Sequence, residues 1–203
     1  MSRDPRLLRW LDSVLATPGL TGLTDPDEAW RTLVEAALPA LPYVTDGPVA
    51  DVGAGGGSPG IPLAACRPDL HFDLVESSRR KCAFLGAAAR DLANVSVVCA
   101  RAEEHGRDQG RDAYAVVLAR ALAPQPVAAE WCLPLVRPGG RLVLYASELA
   151  SGLGPVVAQV GGGEPEFVSE PDAATGLVVI RKLEPTPERF PRRPGIARKR
   201  PLR

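Results

Sequence analysis

The chain has 203 residues, of which 45% are hydrophobic, so it can form one core that buries roughly 70% of the unfolded surface. Its 24 acidic and 24 basic side chains cancel, and the net charge therefore excludes no class of partner. No apolar run reaches the roughly 18 residues of a membrane span. The N-terminal stretch MSRDPRLLRWLDSV also lacks the apolar core of a signal peptide. We therefore expect a cytoplasmic protein without a membrane helix.

The four cysteines show no metal-binding or redox pattern. Cys66, Cys82, Cys99 and Cys132 never approach C-x-x-C spacing, and each lies in an apolar or helical stretch. We expect buried free thiols in a reducing compartment, and no metal site.

Two amphipathic helices are predicted first, within residues 1–47. The stretch RLLRWLDSVL has apolar residues at helical spacing, at Leu7, Leu8, Leu11, Val14 and Leu15. A second helix is predicted from Asp25, an N-cap residue followed by proline and, three places after the cap, by Glu28. Pro39 is expected to end it. These helices form a short N-terminal extension.

From Pro48 the pattern changes to alternating strands and helices. The predicted strands are PVADVG, HFDLVE, VSVVCA, AYAVVLA and RLVLYA, and the clearest helices between them are SSRRKCAFLGAAARDLA and PVAAEWCLPLV. Strands that are apolar on both faces and alternate with helices indicate a parallel sheet covered on both sides. The last two candidates, PEFVSE and GLVVIRKL, have a short link between them, which predicts an antiparallel strand at the sheet edge. This α/β core is expected over residues 48–184.

Residues 185–203 differ in composition from the rest. They hold five prolines, seven basic residues and one acidic residue, so the segment carries six net positive charges and the preceding chain six negative ones. Such a segment is expected to be extended. It is either a nucleic-acid contact or only a solubilising end.

The glycine-rich stretch DVGAGGGSPG follows the first predicted strand. In a parallel sheet this first strand-to-helix turn is the usual place where a ligand binds. Gly53, Gly55 and Gly57 fall in it, and Glu76 ends the second strand. A carboxylate there can accept hydrogen bonds from both hydroxyls of a ribose. Together these features predict an adenosine-containing ligand.

Two features of this turn favour one adenosyl ligand over a dinucleotide. A pyrophosphate needs amide donors at the start of the helix, and here Pro59 and Pro62 remove two of them. Asp51, just before the turn, suits a ligand that carries an ammonium group. We therefore predict S-adenosylmethionine as the cofactor.

The stretch DVGAGGGSPGIPLA resembles the first motif of the small-subunit ribosomal RNA methyltransferase G family, also called glucose-inhibited division protein B. VESSRRKCAFL, NVSVVCARAEE, LARALAP and FPRRPGIARKRPL resemble its later motifs in order, up to Leu202. The resemblance implies a Rossmann-like, class I S-adenosylmethionine-dependent methyltransferase domain over residues 1–184. It also implies methylation of N7 of a guanine in small-subunit (16S) ribosomal RNA.

The same resemblance assigns roles to single residues. It places Arg120 at the reactive end of the cofactor, facing RNA. The implied cofactor-binding residues are Asp51, Gly53, Gly55, Ser58, Glu76, Ala102, Glu103 and Arg120. The implied RNA-binding residues are Arg192, Arg193 and Lys199. Plainer interpretations stay open: Glu103 in a surface ion pair with Arg101, and Arg120 as a cap of its strand. His71 and His105 match no motif and are expected on the surface.

The sequence departs from the family pattern at three places. Ser58 replaces an aromatic residue after the glycine loop, Thr32, Glu35 and Ala36 replace a His-x-x-Asp-Ser stretch, and Ala146-Ser147 replaces Lys-Gly. These changes affect expected cofactor and RNA contacts.

Guanine N7 has a lone pair and no proton, so its methylation needs positioning rather than a general base. This agrees with a chain that has no plausible nucleophile set. We expect the protein to be a monomer. Its expected partner is ribosomal RNA or an assembling small subunit. Two alternatives remain: a small-molecule methyltransferase of the same fold, and a non-catalytic RNA-binding relative.

Overall fold

The computed structural model describes residues 3–169 and 175–202. Its strands are β1 (Val49–Val52), β2 (Phe72–Glu76), β3 (Val95–Cys99), β4 (Tyr114–Arg120), β5 (Val136–Ala146), β6 (Glu166–Val168) and β7 (Gly176–Arg181). They form one sheet in the order β3-β2-β1-β4-β5-β7-β6. Strands β1 to β5 run parallel, whereas β7 pairs antiparallel with β5 and β6 antiparallel with β7. The predicted mostly parallel sheet with an antiparallel edge is confirmed. Glu170, the end of the predicted strand PEFVSE, lies outside the described residues, as do the link after it and Arg203.

Helices cover both faces of this sheet. One face carries α1 (Pro5–Ala16), α2 (Pro26–Ala29), α3 (Gly60–Cys66) and α4 (Arg79–Ala88). The other carries α5 (Ala102–His105), α6 (Gln125–Cys132), α7 (Leu153–Gln159) and α8 (Ile196–Lys199). Every residue of β1 is buried, as is every residue of β4 before Arg120, because each central strand contributes to an apolar core on both sides. None of the helices in the described ranges is both long enough and apolar enough to cross a membrane.

The N-terminal extension is helical for longer than the sequence predicts. After α2 the chain continues as a π-helical turn over Trp30–Val34 and a 3-10 segment over Glu35–Tyr43. The prediction that Pro39 ends the helix is therefore wrong. Tertiary packing overrides the local signal, since Ala37 and Ala40 are fully buried and the Tyr145 hydroxyl donates to the Ala37 carbonyl at 2.6 Å.

The cysteines also differ from expectation. Cys82, in the first turn of α4, and Cys99, at the end of β3, form a disulfide with their Cα atoms 5.8 Å apart. Cys66 is exposed and Cys132 is buried, so the prediction of buried free thiols holds only for Cys132. Strand pairing explains the error: Cys99 lies opposite Glu76 in the sheet, and α4 begins three residues after Glu76.

The prediction of an extended C-terminal segment is wrong as well. Residues 185–202 contain turns and α8, and they pack against the α6 face of the sheet. Phe190 and Ala197 are almost completely buried there. The segment therefore belongs to the same folded body as the sheet.

Candidate functional site

The glycine loop between β1 and α3 lies at the carboxyl ends of the parallel strands. Gly53 has a φ of +76°, and a Cβ there would come within 2.5 Å of the Leu122 side chain. Its N–H donates to the Val75 carbonyl at 2.8 Å, and Trp10 Nε1 of α1 donates to the Gly56 carbonyl at 2.8 Å. The loop backbone is thus held by β2 on one side and by α1 on the other, and at Gly53 only glycine fits.

Glu76 ends β2 directly beside this loop. One carboxylate oxygen accepts from the Ser78 N–H at 2.8 Å and the other from the Gly55 N–H at 3.1 Å. The side chain is buried, and a carboxylate can accept about four hydrogen bonds. Glu76 is therefore fixed in place and keeps acceptor capacity for two further donors.

A cavity of about 210 Å³ lies on the β3 side of the loop. It is lined by Gly53 and by Ala102 and Glu103, which begin the short helix α5. Glu103 is only 3% exposed, and its carboxylate accepts from the Gly195 N–H at 3.1 Å. The structure thus brings these three predicted residues together, and Glu103 is not half of a surface ion pair with Arg101.

A second cavity, of about 310 Å³, lies on the other side of the loop and shares Gly53 with the first. Of the predicted residues, Gly55, Ser58 and Arg120 line it. Sequence reasoning missed several other residues that line it, among them Trp10, Leu33 and Lys81. Trp10 and Leu33 belong to the N-terminal extension, and no local pattern in that extension indicates contact with the loop.

Arg120 connects this second cavity to the N-terminal extension. Its guanidinium donates to the Thr32 carbonyl at 2.8 Å and to Ser58 Oγ at 3.2 Å, while Ser58 Oγ donates to the Leu33 carbonyl at 2.7 Å. Burial lowers the pKa of Arg120, but an arginine stays charged throughout the accessible pH range. The result is a fixed cation at the end of β4, facing the cavity.

Asp51 lies beneath the loop rather than in either cavity. It is 1% exposed, and its Oδ2 accepts from the Gly60 N–H at 2.9 Å. Burial raises its pKa to about 7. Asp51 lines neither cavity, so the structure gives it a role in shaping the start of α3. A direct contact with a ligand stays a prediction.

The three predicted RNA-binding residues lie in different surroundings. The Arg192 guanidinium forms two hydrogen bonds, of 2.7 and 2.6 Å, with the buried Glu130 carboxylate, so its charge is already compensated. Arg193 and Lys199 are exposed, and neither has an ion pair within the described residues. Sequence reasoning missed Arg198, which lines the 210 Å³ cavity; its only signal was its place in the motif FPRRPGIARKRPL.

The two histidines lie in different surroundings. His71 is exposed as predicted, but His105 is only partly exposed, and its Nε2 lies 2.8 Å from the Tyr114 hydroxyl. Across residues 3–169 and 175–202, no three His, Cys, Asp or Glu side chains are grouped as a metal ion would require.

Comparison with solved structures identifies the class of fold. The S-adenosylmethionine-dependent methyltransferase SibL superposes with a TM-score of 0.63 at 16% identity, over 86% of this chain and 62% of that chain. The Thermus thermophilus 16S rRNA N2 G1207 methyltransferase RsmC was solved with AdoMet and guanosine. It superposes with a TM-score of 0.52 at 19% identity, over 75% of this chain and 40% of that chain. The fold is that of the class I S-adenosylmethionine-dependent methyltransferases.

Sequence comparison then identifies the family. The model for GidB, rRNA small subunit methyltransferase G, matches residues 6–151. The Ribosomal RNA small subunit methyltransferase G of Roseiflexus castenholzii is 42% identical over 199 residues, which cover 90% of this chain and 83% of that relative. The protein of the same name from Pelotomaculum thermopropionicum is 41% identical, over 81% of this chain and 74% of that relative. This chain belongs to the rRNA small subunit methyltransferase G family, as its motifs predict.

Proposed function

We propose that this protein uses S-adenosylmethionine to methylate N7 of a guanine in small-subunit ribosomal RNA. The observation that carries the proposal is the cleft at the carboxyl ends of the parallel strands. There the glycine loop and Glu103 line one cavity, Arg120 lines the neighbouring one, and Glu76 holds the loop between them through the Gly55 N–H. Family membership supports the RNA substrate.

The residues present fit an adenosyl cofactor. The loop backbone at Gly53 has a φ of +76°, which favours glycine, and Glu76 keeps two acceptor positions, as two ribose hydroxyls need. We assign Ala102 and Glu103 to the adenine, and Gly55 and Ser58 to the amino-acid end. S-adenosylmethionine supplies an electrophilic methyl group when bound.

The chemistry asks little of the protein beyond positioning. Guanine N7 carries a lone pair and no proton, so no group has to remove one. The reacting atoms must be held about 3–3.5 Å apart and aligned. Arg120 is anchored by the Thr32 carbonyl and Ser58, and we assign it the task of positioning the target nucleotide through its fixed charge.

The exposed cations of the C-terminal segment are the natural contacts for RNA phosphates. Arg193 and Lys199 are exposed and are close in the chain to Gly195 and Arg198, which line the 210 Å³ cavity. Proteins that read RNA by sequence favour unpaired nucleotides, whose bases can enter a pocket. Naked ribosomal RNA and the assembling subunit are both candidate substrates. The monomeric state and the cytoplasmic location stay predictions.

Radiolabelled S-adenosylmethionine distinguishes the possible functions. The protein would be incubated separately with naked ribosomal RNA, with small subunits and with a metabolite extract. We expect label in RNA or in subunits. Label confined to the metabolite extract would favour a small-molecule methyltransferase. Cofactor binding without any transfer would favour a non-catalytic RNA-binding relative.

A further inference from the structure

The first half of the C-terminal segment, residues 185–202, is firmly attached to the domain. The Arg111 side chain donates to the Phe190 carbonyl at 2.9 Å, and Arg107 donates to the Pro191 carbonyl at 2.8 Å. The buried Lys182 ammonium donates to Thr186 Oγ1 at the start of the segment. With the buried ring of Phe190, these bonds fix the first half of the segment.

The second half of the segment forms a wall of the 210 Å³ cavity. Gly195 and Arg198 both line it, and the Gly195 N–H is bonded to Glu103. The Arg198 guanidinium lies 5.2 Å from the centre of the Trp131 ring and donates to the Leu122 carbonyl at 3.4 Å. Arg198 is thereby held between two other residues of the cavity wall, Trp131 and Leu122.

Three other residues of the segment face solvent with charges that no acidic side chain compensates. Arg193, Lys199 and Arg200 are exposed, and within the described ranges none of them has an acidic partner. They are neighbours in the chain of Gly195 and Arg198. A polyanion bound to these cations would therefore hold the segment in the arrangement that closes the cavity.

We propose that the C-terminal segment belongs to the cofactor site as well as to the RNA-binding surface, with Arg198 as a cofactor-binding residue. Cofactor and RNA then strengthen each other's binding, because both favour the docked position of the second half of the segment, which the weaker contacts of Arg198 hold. Thermodynamic linkage requires that each changes the affinity of the other by the same factor. The inference rests on the proposed function.

Two adjacent charge removals test the cofactor contact. Arg198→Gln and Lys199→Gln each remove one positive charge from α8, but only Arg198 lines the cavity. The affinity for S-adenosylhomocysteine, the demethylated product, would be measured by calorimetry without RNA. We expect Arg198→Gln to weaken it about threefold or more, since a cation–π contact and a hydrogen bond hold the side chain in the wall. Lys199→Gln should match the unmodified protein. Equal affinities for both variants, with equal thermal midpoints, would overturn the contact.

The coupling is measured on the unmodified protein. The affinity for S-adenosylhomocysteine would be determined with and without a saturating small-subunit RNA fragment, and the RNA affinity with and without S-adenosylhomocysteine. We expect both to rise by the same factor, about fivefold or more, and by a smaller factor in Arg198→Gln. Affinities that are unchanged by the second ligand would overturn the coupling. If the unmodified protein binds no S-adenosylhomocysteine at all, the proposed function fails first; if it binds and methylates but shows no coupling, only this inference fails.

Discussion

The Asp51 carboxyl group lies beneath the glycine loop, where water does not reach it. Its usual pKa of 3.8 is raised to about 7 by burial, although the Gly60 N–H and the charge of Arg120 act in the opposite direction. A carboxyl whose pKa is higher in the folded state favours folding in its neutral form. Its contribution to stability therefore falls as the pH rises from about 4 to about 7, and stays constant above that.

The substitution Asp51→Asn removes this dependence, because the amide oxygen can still accept from Gly60 but never becomes charged. We expect the variant to gain stability relative to the unmodified protein between pH 5 and pH 8, by an amount on the order of 2 kcal/mol. Urea unfolding at both pH values measures it. A stability difference that is the same at pH 5 and pH 8 would show that Asp51 does not titrate in this range.

Glu76 is the residue on which the ribose assignment depends. Replacing it by alanine removes the acceptor for the Gly55 and Ser78 amides together with the proposed ribose contacts. Hydrogen bonds to a charged acceptor are worth about 1.5–3 kcal/mol each, so we expect at least about a tenfold loss of affinity for S-adenosylhomocysteine. The control is Glu28→Gln, which neutralises an exposed acid of α2. Unchanged affinity in Glu76→Ala would rule out the ribose assignment.

At the scale of elements, the sequence predicts the central sheet well. The runs around β1, β2 and β4 are apolar on both faces. This pattern follows from the burial of the sheet between two layers of helices and does not depend on particular side-chain contacts. The glycine loop and Glu76 could be placed for the same reason, since each follows directly from the end of a predicted strand.

The elements that the sequence does not predict depend on distant contacts. The four-residue helices α5 and α8 are too short to show a period. The segment from Glu35 to Tyr43 stays helical past Pro39 because Tyr145 and the core hold it. Likewise, the docking of the C-terminal segment depends on the contact of Arg192 with Glu130, which is 62 residues away in the chain. No local sequence pattern predicts such a distant partner.

The docking of the C-terminal segment can be tested at this ion pair. Glu130 is 1% exposed, and Arg192→Gln would leave its charge buried without a cation. Breaking a buried pair in this way costs about 3–5 kcal/mol; we expect a value near the lower end, because Arg192 keeps some contact with water. The neighbouring Arg193→Gln should change the free energy of unfolding by less than about 0.5 kcal/mol. Equal effects of the two variants in urea unfolding would contradict the docking.

Over the whole molecule, the charge is uneven. Residues 185–203 carry seven basic side chains against one acidic residue, within a chain of zero net charge. The exposed cations Arg193 and Lys199 are close in the chain to Gly195 and Arg198, which line the cleft at the carboxyl ends of the parallel strands. Arg141 and Arg181, which pair across β5 and β7, lie at the opposite end of the sheet and offer a comparison.

The salt dependence of RNA binding separates these two groups of cations. We expect the double variant Arg193→Gln/Lys199→Gln to lower the slope of log affinity against log salt by about 1.4–1.8, because each lost phosphate contact contributes about 0.7–0.9. The control Arg141→Gln/Arg181→Gln removes the same charge at the far end and should leave the slope unchanged. Parallel lines for all three proteins would mean that the C-terminal segment makes no phosphate contacts.

The central claim is that the cleft delivers a methyl group to guanine N7 in small-subunit RNA. It is tested most directly by mass spectrometry of nucleosides released from RNA after incubation with S-adenosylmethionine. The account predicts N7-methylguanosine with the unmodified protein, and at least about tenfold less with Arg120→Ala, with a smaller loss of affinity for S-adenosylhomocysteine. A methyl group on any other atom or nucleoside, or undiminished N7-methylguanosine with Arg120→Ala, would contradict it.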